Sequence, residues 1–316
     1  MAVMGPEPWL CVVAPSSILM VEIEQAQGET GQHAADVHVH PGGQGLWVAS
    51  MAKALGARVT VCGPFGGEAG AILQQLAAKD GAEVRAIASG GGNSAEVHDR
   101  RSGERVEVAL MPARPLQRHE TDELFGAALV AGTEADVCVL TGAQPADVLP
   151  PSFFRRLAHD LRIGGARVVA DLSGQAALAV AGERPAVLKM AHDEVIAVEL
   201  AADESLPSLR RAARELTGAG VETMVISRAD EPTLVQCAIG SWLVHTPSLV
   251  PVDHRGTGDS MTAGIAVALG RDEPVLHAVR LGAAAGTLNV TRRGLGTGRR
   301  TEIERFAAQV RIEELR

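Results

Sequence analysis

The stretch Val252–Ser260 combines residue types that suit the transfer of a phosphoryl group. Its Gly-Thr-Gly turn, Gly256–Gly258, lies directly before Asp259, and Met261–Leu269 has the pattern of a helix. A helix N-terminus carries unpaired N–H groups at the positive end of the helix dipole, so this turn suits phosphate oxygens. Asp259 would then take the proton from a hydroxyl that attacks the phosphate. A plain loop that ends in an N-capping Asp or Ser explains the same residues equally well, and the motif alone leaves both interpretations open.

The composition argues against a partner that is a nucleic acid or a membrane. The 316 residues are 46% hydrophobic and 21% charged, and the formal net charge is −9. A negative chain with only 3% aromatic residues lacks both the basic surface and the stacking platforms that nucleic acids require. No stretch approaches the about 18 apolar residues of a membrane span, and the N-terminus lacks the pattern of a secretion signal. We therefore expect a cytoplasmic protein whose partner is a small molecule.

Neither the cysteines nor the histidines predict a metal cluster. The four cysteines form no CxxC pair and are expected to be reduced and buried: Cys11, Cys62, Cys138 and Cys237. His38 and His40 share one face of a predicted strand and, with His33, could ligate a metal. Half-exposed histidines beside a ligand explain them better.

Short β-branched runs alternate with longer helical patterns along most of the chain. Strands are predicted at Arg58–Cys62, Glu83–Ala88, Asp136–Leu140, Arg167–Asp171 and Thr223–Ser227, and helices at Glu68–Lys79, Phe153–Ile163, Leu206–Thr217 and from Ser260 onward. Such alternation indicates βαβ units, which build a mainly parallel sheet with helices on both faces. Ligands of such folds bind at the carboxyl ends of the strands, where Thr141 and Asp171 are expected.

Two regions alternate apolar and polar residues and do not fit that pattern. Ile18–Gln25 and Ala35–His40 form the first, and Ala95–Leu110 forms the second, with a turn at Arg101–Glu104. They predict a small antiparallel flap outside the main sheet. The flap would cover an active site, or it would be an edge extension without function. Two copies of the chain could also pair through these strands, which predicts a homodimer.

Polar side chains near the flap and the glycine turn have two interpretations each. Arg100, Arg101 and Arg105 are either solvated turn residues or the source of a bidentate clamp on a substrate phosphate. His254 beside the turn is either a phosphate contact or a solvated loop residue.

Three motifs in order along the chain resemble those of a known family. They are Pro41–Gly45 leading into 48–56, Asp253–Asp259 leading into 260–269, and Leu288–Gly298. With them the chain resembles the ribokinase-like PfkB carbohydrate kinases, in particular the branch with 1-phosphofructokinase and tagatose-6-phosphate kinase. The resemblance implies one three-layer α/β/α domain over 1–316, with a mainly parallel sheet and a lid of strands from about 16–42 and 94–112.

The resemblance also implies a role for each matching residue. Asp259 corresponds to the catalytic base, and an anion hole of backbone N–H groups corresponds to Gly256, Thr257 and Gly258. ATP and Mg²⁺ are the implied cofactors: the nucleotide site would include Lys189, Ser227 and Asn289, while Glu194 would organise the metal through water. Asp253 would be structural or lie near a monovalent cation.

The acceptor half departs from the family pattern. The implied acceptor-binding positions are Gly42, Gly43, Gln44, Trp47 and Arg101. The family usually has Asn in place of Trp47, and its phosphosugar branch often has Lys in place of Gln44. Ile18 replaces a sugar-binding Asp, and Ala191 replaces the Asn of the magnesium motif. An indole or an isoleucine leaves a sugar hydroxyl unpaired, which weakens recognition of sugars.

Three hypotheses about function remain, because the glycine spacing fits neither a dinucleotide-binding turn nor a P-loop. The first is an ATP-dependent kinase that phosphorylates a hydroxyl of a sugar, sugar phosphate or similar metabolite. The second, motivated by Ile18, Trp47 and Ala191, is a weakly active or non-catalytic relative that binds a nucleotide or metabolite. The third is a kinase of nucleosides or vitamin-like alcohols, which a less polar acceptor pocket would suit.

Overall fold

The computed structural model describes residues 7–26, 35–249, 255–291 and 296–316. Within these ranges the strands are β1 Trp9–Val13, β2 Ile18–Gln25, β3 Ala35–Gly42, β4 Arg58–Phe65, β5 Glu83–Ala88, β6 Ser94–Asp99, β7 Val106–Met111, β8 Val137–Thr141, β9 Arg167–Asp171, β10 Val187–Ala191, β11 Thr223–Arg228, β12 Glu231–Cys237, β13 Gly240–His245 and β14 Arg311–Leu315. The α-helices are α1 Gln44–Ala54, α2 Gly67–Lys79, α3 Arg118–Glu134, α4 Pro151–Ile163, α5 Gly174–Ala181, α6 His192–Ala197, α7 Leu206–Ala219, α8 Thr257–Gly270, α9 Val275–Asn289 and α10 Arg300–Ala307.

A ten-stranded sheet forms the centre of the molecule, in the order β14-β13-β12-β11-β10-β9-β8-β1-β4-β5. The seven strands from β11 to β5 are parallel to one another, and β12, β13 and β14 add an antiparallel edge. This arrangement confirms the predicted three-layer α/β/α architecture. The carboxyl ends of β8, β9 and β10 therefore lie side by side at one edge of the sheet.

Apolar side chains alternate across the sheet and bury a helical layer on each face. Leu10 and Val12 of β1 face the layer of α1, α2, α8, α9 and α10, whereas Cys11 and Val13 face the layer of α3, α4, α5 and α7. All four cysteines are buried and free, as predicted. No helix within the described ranges has both the length and the apolar composition that crossing a bilayer requires.

The predicted boundaries differ from the observed ones by a few residues. The strands Glu83–Ala88 and Arg167–Asp171 are as expected, but α8 begins at Thr257 rather than at Ser260. The glycine turn thus contributes the first turn of the helix itself. The strand predicted from Asp136 begins one residue later, and the Asp136 carboxylate accepts a hydrogen bond of 2.8 Å from the backbone N–H of Trp9.

A second, four-stranded sheet in the order β3-β2-β6-β7 forms the lid. The pairs β2–β3 and β6–β7 are antiparallel, which confirms the small antiparallel sheet, and the two hairpins join through a parallel pair between β2 and β6. Because side chains alternate between the faces of a strand, Met20 and Glu22 of β2 share the face of Glu96 on β6. Val21 and Ile23 share the opposite face with Val39 and Val37 of β3.

Candidate active site

The N-terminus of α8 lies beside Lys189 of β10. Gly256 is the N-cap residue with φ = 69°, a left-handed conformation that favours glycine. Thr257, Gly258 and Asp259 follow as the first helical residues. A Cβ atom at Gly258 would lie 2.6 Å from Nζ of Lys189, so the ammonium group lies directly against this turn. The turn therefore combines backbone donors with a positive side chain.

Lys189 forms a buried ion pair with Asp171, the last residue of β9. Its Nζ lies 2.9 and 3.0 Å from the two carboxylate oxygens, and the Asp171 carboxylate also accepts a hydrogen bond of 2.6 Å from the Thr262 hydroxyl. Burial lowers the pKa of Lys189, but the carboxylates of Asp171 and Asp259 outweigh burial, so the pKa is raised overall. Lys189 consequently stays charged beside the helix N-terminus.

Asp259 is a buried carboxyl group that keeps a pKa suited to proton transfer. Burial and the Asp171 carboxylate raise the pKa of Asp259 to about 7, although Lys189 and a hydrogen bond from Gln44 act in the opposite direction. The Gln44 side-chain oxygen accepts a hydrogen bond of 2.6 Å from the Gly142 backbone N–H. That bond fixes the amide so that its NH₂ group is the part that donates to Asp259. A base with a pKa near neutral is effective because it is both available and strong enough at that pH.

Two cavities meet at this carboxyl group. One has a volume of about 530 Å³ and the other about 320 Å³. Four residues line both of them: Gln44, Asp171, Glu194 and Asp259. A site with two chambers and a titratable group at their common wall can hold two reactants against the same carboxylate.

Glu194 is one of three carboxyl groups at the junction of the cavities, with Asp171 and Asp259. One of its oxygens accepts a hydrogen bond of 2.7 Å from the Ala191 backbone N–H, and burial raises the pKa of Glu194. No group of three or more His, Cys, Asp and Glu side chains in the described part of the chain could hold a metal by itself. A magnesium ion fits this donor set, because Mg²⁺ prefers oxygen ligands and usually relies on water and substrate phosphates in addition to one or two carboxylates.

The smaller cavity extends under the lid, where charged side chains converge. Arg105 and Arg255 both line it, together with Glu96. Nη2 of Arg105 lies 3.4 Å from Glu96 and 3.0 Å from Nδ1 of His98, while its buried Nε–H has no hydrogen-bond acceptor among the described residues. Burial and the nearby Arg255 lower the pKa of Arg105, although the carboxylates of Glu96 and Glu22 act in the opposite direction. This end of the cavity is suited to an anion.

Comparison with known proteins identifies the family. The family described as pfkB family carbohydrate kinase matches residues 11–302. The chain belongs to this family. The 1-phosphofructokinase of Bacillus subtilis is 25% identical over 258 residues, 82% of this chain and 84% of that protein. The ATP-dependent 6-phosphofructokinase isozyme 2 of Mycobacterium tuberculosis is 30% identical over 275 residues, 84% and 78% of the two chains.

Two solved structures have the same fold. The phosphofructokinase-2 of Escherichia coli in complex with potassium has a TM-score of 0.81 at 23% identity, covering 97% of this chain and 99% of that one. The possible 1-phosphofructokinase of Thermotoga maritima has a TM-score of 0.83 at 16% identity, covering 98% and 100%. The comparisons confirm the family resemblance, the fold and the enzyme class inferred from the sequence, a carbohydrate kinase.

Most of the residues expected in the nucleotide half line the larger cavity. Lys189, Ser227, Thr257 and Gly258 are among its lining residues. Asn289 is not. Its side chain is fully buried, with the NH₂ group donating to the Arg255 carbonyl at 2.8 Å and the oxygen accepting from the Gly296 N–H at 3.0 Å. The Asn289 amide therefore joins two backbone segments beside the cavity, and its contact with the nucleotide stays a prediction.

Two of the positions expected in the acceptor half, Gly42 and Arg101, are not among the residues that line the smaller cavity. Gly43, Gln44 and Trp47 line the smaller cavity, whereas Gly42 packs behind Met20, whose Sδ would lie 2.5 Å from a Cβ at that position. Arg101 is not at the cavity, because its guanidinium forms a bidentate pair with Asp99 in the hairpin turn, at 2.6 to 3.2 Å.

Of the arginines near the lid, Arg105 and Arg255 line the smaller cavity, and Arg101 does not. Arg105 was one of three candidates in the predicted turn, but nothing in the sequence singled it out. Arg255 was missed, although its position directly before Gly256 was a usable signal. Asp253, His254 and His33 lie outside the described residues. His38 and His40 are exposed on β3 with stacked rings 6.0 Å apart.

Proposed function

We propose that this pfkB-family kinase transfers the γ-phosphoryl group of ATP to a hydroxyl of a phosphorylated sugar or sugar-like alcohol. One observation carries the proposal: Asp259, at the N-terminus of α8, lines both cavities and has a pKa raised to about 7. The larger cavity, with Lys189 and the α8 amides, would take ATP. The smaller cavity would take the acceptor.

In this mechanism Asp259 accepts the proton of the acceptor hydroxyl as that oxygen bonds to the γ-phosphorus. The bond from the γ-phosphorus to the oxygen bridging it to the β-phosphorus breaks, and ADP leaves with that oxygen. The N–H groups of Thr257 and Gly258 and the Lys189 ammonium neutralise the charge on the moving phosphoryl group. Bound magnesium would lie near Glu194 and screen the phosphates. Gln44 holds the Asp259 carboxylate in position.

The phosphate that the acceptor already carries is proposed to bind Arg105 and Arg255. Both guanidinium groups line the acceptor cavity, and the buried Nε–H of Arg105 offers a donor that no described residue accepts. The relatives at 25% and 30% identity, named as phosphofructokinases, support an acceptor that already carries a phosphate. Paired guanidinium and phosphate groups form short charge-assisted hydrogen bonds in this kind of site.

Replacing the cavity arginines is expected to raise the KM of a phosphorylated acceptor. Arg105→Met and Arg255→Met should each raise KM about 10- to 100-fold, the equivalent of losing one or two charge-assisted hydrogen bonds. The measurement is ADP release with magnesium–ATP and a panel of sugar phosphates and sugars. Arg101→Met is the matched control and should change KM less than about twofold, because exposed ion pairs contribute little.

Three results would contradict the proposal. The wild type could bind ATP yet release no acceptor-dependent ADP across the panel, which would favour a non-catalytic binding protein. Arg105→Met could leave KM unchanged, or Arg101→Met could raise it equally. Either of these two KM results would show that the phosphate of the acceptor does not bind in the cavity under the lid.

We also propose that two copies of the chain pair through the outer face of the lid. Val37 and Val39 of β3 are 62% and 41% exposed and Val106 of β7 is 52% exposed, although all three lie on a sheet. Apolar sheet faces of this kind are usually covered by a partner. A second copy is the simplest occupant, since a twofold axis places the same patch on both sides of the interface.

Light scattering after size exclusion tests this pairing. The wild type should have the mass of two chains. The double variant Val37→Lys with Val39→Lys should have the mass of one chain. Ile163→Lys is the control, because Ile163 is 67% exposed at the end of α4, away from the lid. A monomeric wild type, or an unchanged mass in the double variant, would contradict pairing through the lid.

A further inference from the structure

The cavity-facing side of β2 changes from apolar to charged along the strand. Ile18, Met20 and Glu22 lie on one face, about 7 Å apart in succession, as alternate residues of a strand do. Ile18 and Met20 line the acceptor cavity. Glu22 lies beyond them, with one carboxylate oxygen 3.3 Å from Arg100 and 3.7 Å from Arg255. The acceptor cavity therefore has an apolar end and a charged end.

The apolar end is formed by side chains from three different elements. Ile18 and Met20 come from β2, Trp47 comes from α1, and Leu172 follows β9. Aliphatic and thioether side chains donate no hydrogen bonds, and an indole has a single N–H donor. A substrate hydroxyl that contacts this wall would lose its hydrogen bonds to water without gaining one from the protein, which weakens binding.

Two polar groups near the apolar wall take part in internal hydrogen bonds. The Ser16 hydroxyl accepts a bond of 2.8 Å from the Gln144 N–H, and Gln44 is bound by both Gly142 and Asp259. The charged side chains of the cavity lie at its two ends: carboxylates that include Asp259 at the junction with the larger cavity, and Arg105 and Arg255 under the lid, where they pair with Glu96 and Glu22. The cavity thus places a carboxylate for a reacting hydroxyl at one end and guanidinium groups for an anion at the other.

We propose that the acceptor is an amphipathic phosphomonoester: it carries one phosphate, one reacting hydroxyl and a deoxygenated carbon face that contacts Ile18, Met20 and Trp47. The inference rests on the proposed function, since it assigns the smaller cavity to the acceptor. It narrows the substrate class from hydroxyl-rich sugar phosphates to deoxy-sugar phosphates or phosphates of alcohols with an apolar ring or chain.

Matched ligand pairs that differ by one hydroxyl test the inference. Calorimetry with the Asp259→Asn protein and the full chain measures binding without turnover. The probes are glucose 6-phosphate against its monodeoxy analogues and ribose 5-phosphate against 2-deoxyribose 5-phosphate. At least one deoxy analogue should bind about 10- to 100-fold more tightly than its parent, the range by which an apolar pocket discriminates against an added hydroxyl. Equal or weaker binding of every deoxy analogue would overturn the inference.

Variants at the apolar wall provide an independent readout. Ile18→Asn should reduce the preference for the deoxy ligand to about twofold or less, because its amide can pair with the hydroxyl. Ile18→Val is the control and should keep the preference. If Ile18→Asn does not fold, Ile18→Thr serves the same purpose. An unchanged preference in a folded polar variant would contradict the role of this wall. Because binding is measured without turnover, absence of ADP release would count against the kinase proposal alone.

Discussion

Asp259→Asn should lower kcat by about 10²–10⁴-fold, the contribution of a positioned general base. The amide cannot accept the proton of the attacking hydroxyl, but it keeps the shape of the carboxyl group and a partner for Gln44. Acceptor and ATP affinities, measured by calorimetry, should change far less than kcat. Ser173→Ala is a suitable control, because the Ser173 side chain lines the same cavity but has no role in the proposed transfer of the hydroxyl proton. Wild-type turnover in Asp259→Asn would refute the mechanism.

The same variant should gain stability at high pH. The folded protein raises the pKa of Asp259 from 3.8 to about 7, so the folded state binds this proton more tightly than the unfolded state does. The resulting stabilisation is complete below about pH 4 and is lost as the pH rises to about 7. The melting temperature of Asp259→Asn relative to the wild type should therefore increase between pH 4 and 7 and stay constant above. A variant less stable than the wild type at pH 8 would contradict the burial of a charged Asp259.

Lys189→Met should destabilise the fold by about 3–5 kcal/mol, the typical cost of removing one partner of a buried ion pair. Asp171 and Asp259 would then be two buried carboxyl groups with no opposite charge beside them in the described structure. Chemical denaturation measures the loss. Lys79→Met on the exposed end of α2 is the matched control and should change the free energy of unfolding by less than about 0.5 kcal/mol. A similar loss in both variants would contradict the buried pair.

The double variant Lys189→Met with Asp171→Asn separates pairing from packing. It should recover part of the lost stability, because no carboxylate is left unpaired at position 171. Turnover should be low in Lys189→Met and in the double variant, since both lack the positive charge at the α8 turn. A double variant less stable than Lys189→Met alone would show that the two side chains act independently.

The sequence was sufficient to predict the fold and the position of Asp259 at the start of a helix. Alternating strand and helix patterns predicted the parallel sheet, because hydrophobic periodicity follows directly from burial on both faces. The Gly-Thr-Gly-Asp motif predicted the position of Asp259, since the motif is contiguous and its geometry is set by the helix that follows. The buried pair of Asp171 and Lys189 was not anticipated as a pair, because its members come from neighbouring strands, 18 residues apart.

The acceptor end was less predictable for a physical reason. Whether Arg101 or Arg105 reaches the cavity depends on the register of the β6–β7 hairpin, which shifts between Val97 and His98, and on which carboxylate each arginine meets. Sequence spacing does not contain that information. Asn289 is a similar case: a buried amide that joins two backbone segments and an amide that binds a nucleotide look identical in a sequence.

The pH dependence of kcat/KM for the acceptor tests the central claim most directly. With Asp259 as the base, kcat/KM should rise tenfold per pH unit on the acid side and level off above an apparent pKa of about 7. Asp171→Asn should move this limb to lower pH, because it removes a negative charge that raises the pKa of Asp259. A profile that is flat from pH 5 to 9, or one that Asp171→Asn leaves in place, would contradict Asp259 as the group that takes the proton.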